Sequence, residues 1–199
     1  MNVSILLFED FETLDVFGPV EIFGRLKDHY KVSFYSEQGG LVTNSHGVSI
    51  LTSCMSNIIT GTDIFLIPGG HGKRRVVNNI SLLNSIEQVA EASKYVLTVC
   101  TGTAILAKTG LLDGKKATSN KKAFDWVVTQ GSKVNWVRKA RWVNDGKFYT
   151  SAGVSAGMDM TLGFLQDLHG IEFARKVAFE IEYNWIEIRE EGNFYQAYL

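Results

Sequence analysis

The sequence predicts an α/β fold built on a mostly parallel sheet, and three observations predict it. Strand and helix signals alternate from one end of the chain to the other, interrupted by a hairpin, the order that lays crossover helices over parallel strands. The core strands are short continuous apolar runs, the pattern of strands buried on both faces. Residues 95–112 (YVLTVCTGTAILAKTGLL) read strand, sharp turn, helix, with Cys100 at the corner. That layout resembles a nucleophile elbow, which lifts a reactive side chain to the top of a sheet on a tight strand-to-helix turn.

Residues 3–8 form an apolar strand broken only by Ser4, and residues 9–12 an acidic loop. Thr13 is placed to cap a helix whose Leu14, Phe17, Glu21 and Arg25 fall at helical spacing. Gly18-Pro19 either interrupts that helix or starts its main part with proline in the first turn. Residues 31–35 are a second strand. Residues 39–50 alternate polar and apolar with glycine punctuation, which predicts a hairpin or edge pair. Residues 63–68 (DIFLIP) are a third core strand, stopped by Gly69-Gly70-His71-Gly72. Leu82, Leu83, Ile86, Val89 and Ala90 recur at the period of an amphipathic helix that leads into the elbow strand.

Beyond the elbow, Gly110 is a helix stop and residues 114–119 a short strand. Residues 121–130 look helical, with Phe124 and Val128 on one face. Asn144-Asp145-Gly146 between two apolar runs is hairpin chemistry. Ser155 precedes a helix with Met158, Leu162, Leu165 and Leu168 on one stripe, ended by Gly170, and a last helix carries Ile171, Ala174, Ala178 and Ile181. The tail, residues 184–199, mixes aromatics and carboxylates and carries no element signal. The chain reads as one domain over residues 1–199 with its core in residues 3–182.

A chain of 199 residues can bury a substantial core. A formal net charge of −1 points to neither a nucleic-acid nor a membrane partner. Residues 133–142 (KVNWVRKARW) interleave basic and aromatic residues, as single-strand binders do; without a second basic run they read as a solvated strand face. The two cysteines, Cys54 and Cys100, make no disulfide framework, and without clustered histidines they make no zinc site. No metal or organic cofactor is expected, and Cys54 reads as structural. No apolar run reaches about 18 residues, and the N-terminus reads as a first strand rather than a signal peptide. The expectation is a cytoplasmic protein.

Small residues follow Cys100 at once (Thr101, Gly102, Thr103, Ala104) and permit the tight turn. The helix N-terminus behind it presents unpaired N–H groups and a partial positive charge. Both are expected to favour thiolate over thiol. The alternative is a buried cysteine that fills space. Ligands of such sheets sit outside the carboxyl ends of the strands, where residues 9–15, residues 69–72 and Cys100 all fall.

TVCTGTAILAKTGLLDGKKATSN, IPGG, LDVFGPVEIF and SAGVSAGMD together resemble the ThiJ/PfpI superfamily, also described as class I glutamine-amidotransferase-like. Within it they are most like the branch of isocyanide hydratase and the ligand-sensing domains of arabinose-regulator-type transcription factors. The resemblance implies a flavodoxin-like, doubly wound, mostly parallel sheet with an added β-hairpin, and a homodimer. It implies Cys100 as nucleophile, Asp15 as the acid beside it, and Thr101 as the threonine that follows. It implies Gly69 and Gly70 as the turn whose N–H groups face the site, and it places Asn120 and Ser155 near the substrate. Three departures matter. Thr101 stands where the protease-like branch has histidine, and Asn120 where the deglycase and glyoxalase-like branch commonly has one. His169 is followed by Gly170-Ile171, which does not match the His-x-Glu pair of true amidotransferases.

Read as chemistry, a sulfur nucleophile beside a carboxyl group can serve small electrophiles without a histidine. The carboxyl must be protonated when it donates, so burial should raise its pKa. The N–H groups of Gly70 and Thr101 are candidates to stabilise developing negative charge, and His71 to orient substrate or donate a proton. The leading expectation is cysteine-dependent hydration of a small apolar electrophile, an isocyanide to an N-substituted formamide. The alternatives are a ligand sensor without turnover and a redox or stress protein; glyoxalase, deglycase or protease activity ranks lower.

Overall fold

The computed structural model describes residues 1–58, 62–190, 192 and 194–198. Eight strands form the main sheet: β1 (Asn2–Leu6), β2 (Lys31–Ser36), β3 (Gly40–Thr43), β4 (Ser49–Cys54), β5 (Ile64–Ile67), β6 (Tyr95–Thr98), β9 (Trp142–Asp145) and β10 (Phe148–Ser151). Their order is β3-β4-β2-β1-β5-β6-β10-β9. All neighbours pair in parallel except the two edge hairpins, β3 with β4 and β9 with β10. The added hairpin turns at Gly146, whose φ of +66° suits glycine. Two short strands, β7 (Lys116–Ala117) and β8 (Asn135–Trp136), pair with each other. The strand expected near residues 114–119 therefore lies outside the main sheet.

The apolar runs became central strands because they are covered on both faces. Val3, Ile5, Leu6, all of β5, Val96 and Leu97 are fully buried. Helices α1 (Thr13–Arg25), α6 (Ala156–His169) and α7 (Ile171–Glu180) pack together as one layer. Helices α2 (Lys73–Val76), α3 (Ile80–Ala92), α4 (Gly102–Lys108) and α5 (Phe124–Val128) include the second, with α4 in contact with α2, α3 and α5. The chain leaves β1 in both directions along the sheet, to β2 on one side and β5 on the other. The β1/β5 boundary is thus the topological switch point, where open α/β sheets hold their ligands.

Several local expectations change. Helix α1 runs unbroken through Gly18-Pro19; proline removes one backbone donor, and tertiary packing outweighs that loss. Thr13 caps nothing: its Oγ1 accepts from Asn44 Nδ2 at 2.7 Å and pairs with His46 Nδ1 at 2.7 Å. Helix α6 is buried on nearly every side, because α1, α7 and the β9–β10 hairpin all pack on it. On α5 the buried pair is Phe124 and Val127. The tail becomes a strap: Arg189 carbonyl accepts from the backbone N–H of Arg141 and Trp142, and Gly192 N–H donates to Lys139 carbonyl. Residues 191, 193 and 199 of that tail lie outside the described residues.

Candidate active site

The site is assembled where the carboxyl ends of β1, β5 and β6 meet. After β6, Val99 N–H donates to Ile67 carbonyl and Cys100 N–H to Ala152 carbonyl, which holds the corner between two neighbouring strands. Cys100 has a φ of +58°. A non-glycine residue in that region costs of order 1–3 kcal/mol and persists where surrounding structure imposes it. Here the imposing contacts include Ser119 Oγ, which donates to Cys100 carbonyl at 2.6 Å. Gly102 permits the turn by absence: a Cβ there would lie 2.2 Å from Ile67 carbonyl oxygen.

Asp15 sits in the first turn of α1 with its carboxyl turned inward and fully buried. Gly69 N–H donates to Asp15 Oδ2 at 2.8 Å. The other oxygen, Oδ1, has no conventional hydrogen-bond partner among the described residues; Cys100 is the side chain that interacts with the carboxyl. Gly69 is the contact point of three segments, since a Cβ on it would lie 2.5 Å from Thr101 Oγ1 and 3.0 Å from Asp15 Oδ2. The structure thus brings Asp15, Gly69, Gly70, Cys100 and Thr101 together.

Electrostatics depart from the expectation of a thiolate favoured by the helix end. Burial, then the Asp15 charge, pushes the Cys100 thiol well up; the N–H groups of Val154 and Thr101 pull it partly back. Burial likewise pushes Asp15 well above the ordinary carboxylate range, against the Gly69 N–H and Cys100 hydrogen bonds. Burial favours the neutral form of both adjacent acids, and an ionised Asp15 raises the thiol further, because ionising the sulfur beside it would place two poorly solvated charges together. The α4 N-terminus does not overcome this: α4 has seven residues, and Cys100 is buried. Cys54 is half-buried, and its thiol is lowered by the Ser56 hydroxyl at 3.1 Å.

The mouth above Cys100 is a cavity of about 450 Å³, lined among others by Glu12, His71, Lys73, Asn120 and Trp126. Gly70 N–H donates to Thr101 Oγ1 at 3.3 Å and is not free to face a substrate. Thr101 N–H is turned toward Sγ. His71 is exposed at the rim. Asn120 Oδ1 accepts from Ala123 N–H at 3.1 Å, which orients the side chain. Ser155 lies elsewhere: its Oγ accepts from Arg141 Nη2 at 3.4 Å in a neighbouring cavity of about 260 Å³. Sequence reasoning missed Lys73, whose Nζ donates to Gly70 carbonyl at 3.3 Å, and Val154, whose N–H meets the sulfur. No motif signals either; only the tertiary contacts place them. No group of three or more metal-ligating side chains occurs among the described residues, and no helix among them is long and apolar enough to cross a membrane.

Fold and site together define a doubly wound α/β protein with a cysteine at the strand-to-helix corner and a carboxyl group beside it. Residues 1–167 match the DJ-1/PfpI family, and the chain belongs to it. It is 31% identical over 183 residues to an isonitrile hydratase of Pseudomonas putida, across 92% of this chain and 78% of that one. It is 29% identical to a deglycase of Pyrococcus horikoshii, across 76% and 89% of the two chains. The crystal structure of a ThiJ/PfpI family protein from Pseudomonas syringae superposes with a TM-score of 0.84 at 28% identity, covering 92% of this chain and 75% of the other.

Proposed function

We propose that the protein hydrates a small isocyanide to an N-substituted formamide, with Cys100 as nucleophile and Asp15 as proton donor. The observation that carries this reading is the Asp15 carboxyl, fully buried beside the sulfur, where desolvation raises its pKa and favours the protonated acid. A neutral carboxyl is an acid ready to donate, which spares the pair a histidine. In the first step Asp15 gives its proton to the isocyanide carbon as Sγ bonds to that carbon, and the thiol proton passes to the carboxylate left behind. The result is a thioimidate. Water then adds to the same carbon; the nitrogen takes a proton from Asp15, and a proton of the water restores the carboxyl. The C–S bond breaks as the hydroxyl proton returns to sulfur, releasing the formamide and the thiol.

The likeness to deglycases supports a second reading, and Asn120 separates the two. Moving a proton between adjacent carbons of a hemithioacetal needs a second acid–base group near sulfur, and an amide does not titrate in the useful range. The test is saturable turnover of an alkyl isocyanide by the wild type, absent in Cys100→Ala. Robust methylglyoxal turnover with no isocyanide turnover would sink the hydratase reading and favour His71 as the missing base. Saturable binding of ligands with no turnover would favour the sensor.

A homodimer is part of the proposal. Phe23 is buried in the core and does not contribute to an interface, but Leu14 and Phe17 on α1 are each more than a third exposed. They offer an apolar strip to a second copy.

A further inference from the structure

The 260 Å³ cavity beside the site is lined by a buried lysine whose described hydrogen-bond partners are all neutral. Lys121 lines it and is 5% exposed. Its Nζ donates to Thr118 Oγ1 at 2.7 Å and to Ala140 carbonyl at 2.6 Å, both neutral acceptors. A further neighbour is also uncharged, the Phe124 ring, whose centroid lies 5.4 Å from Nζ. Burial, with Arg138 and Arg141 nearby, lowers the Lys121 pKa to about 7. Burying an ammonium without an anion is costly, and among the described residues no carboxylate lines this cavity.

The neighbourhood deepens the imbalance. Arg141 on the same wall is already neutralised by Asp159, whose Oδ2 accepts from its Nε at 2.6 Å. The larger cavity over Cys100 shares Asn120, Lys122 and Val154 with this one, so the two adjoin. Lys73, Arg74, Lys121 and Lys122 line the joined space, and none forms an ion pair with a described residue. Against them stand Glu12 and Asp125, and Asp125 is paired with Arg138. In a chain with a formal net charge of −1, the described lining of the two cavities thus carries more basic than acidic side chains.

We infer that the joined cavities select a small electrophile carrying a carboxylate, its reactive carbon at Cys100 and its carboxylate reaching toward Lys121 and Lys122. This rests on Cys100 acting as a nucleophile, and it deepens the hydratase reading by naming the substrate class. Lys121 and Lys122 are positioning residues, since the sulfur and Asp15 perform the chemistry. Ser155 Oγ on the same wall is a further polar contact for the carboxylate.

Two measurements test this. In a Cys54→Ser background, Cys100 is alkylated with iodoacetate and with iodoacetamide, and the rate ratio is compared with that of glutathione. The attraction of several unit charges, summed in a watery dielectric, predicts a ratio on the order of tenfold above the reference at low salt. Added salt should shrink it, and Lys122→Glu and Lys121→Met should each cut it several-fold. Separately, Cys100→Ser should bind isocyanoacetate more tightly than its methyl ester, a preference that Lys122→Glu removes. A labelling ratio equal to glutathione's, or no preference for the carboxylate in Cys100→Ser, would overturn the inference. Intact carboxylate preference without isocyanide turnover would overturn the hydration reading alone.

Discussion

Replacing Asp15 with asparagine tests whether the fold stores a proton on that carboxyl, and it does so without a substrate. The folded carboxyl holds its proton well above the 3.8 of an unperturbed aspartate, with burial as the first cause. The sign follows from proton counting. Below the unfolded pKa both states are protonated, and Asp15 contributes no pH dependence. Above it the unfolded chain loses the proton while the folded protein keeps it, so stability falls as pH rises, until the folded pKa is passed. The slope is about 1.4 kcal/mol per pH unit for one retained proton. Asp15→Asn removes this contribution, while its amide oxygen can still accept from Gly69 N–H. The difference in unfolding free energy, variant minus wild type, should therefore grow as pH rises above about 4, by up to about 1.4 kcal/mol per unit, until the folded carboxyl ionises. Urea denaturation of both proteins at three pH values between 4.5 and 6.5 reads it. A difference that stays flat with pH would refute a protonated Asp15, and with it the proposed acid.

Other expectations concern packing and assembly. Gly102→Ala puts a methyl 2.2 Å from Ile67 carbonyl oxygen and 2.8 Å from Pro68 carbonyl oxygen; the elbow should yield at a cost of about 1–3 kcal/mol, seen as a lower midpoint in urea and lost Cys100 reactivity. Arg141→Met strands the fully buried Asp159, a loss of about 3–5 kcal/mol, while Arg141→Met with Asp159→Leu should cost less than the single change. Calorimetric melting of the two variants decides it, and equal losses would show that the tail contacts of Asp159, not the ion pair, dominate. Sedimentation at micromolar concentration should show a dimer that Phe17→Glu dissociates; a wild-type monomer would remove the proposed role of α1.

The central sheet was legible in the sequence because its strands are buried on both faces, and that requirement forces unbroken apolar runs such as residues 64–67. The elbow was legible for a related reason: a close approach like that of Gly102 to Ile67 carbonyl leaves only small residues at the turn. Helix α1 shows where such reading ends. Phe17 and Phe23 look alike in its pattern, yet Phe17 is 38% exposed while Phe23 packs on Tyr30 and on the distant Phe164.

Sequence by itself determined the parallel α/β architecture, the cysteine at the corner, the family, and the neighbourhood of Asp15, Gly69 and Cys100. Each of these is written in local pattern or in motifs whose spacing the fold constrains. Tertiary structure alone decided how that neighbourhood is desolvated, and so the direction in which its two acids shift. A helix end argues for thiolate, but desolvation depends on what every other segment brings over the sulfur, and here it wins. The same holds for Lys121: nothing in its sequence context distinguishes it from a surface lysine, and only the packing of Thr118, Ala140 and the tail makes it a buried amine beside the site.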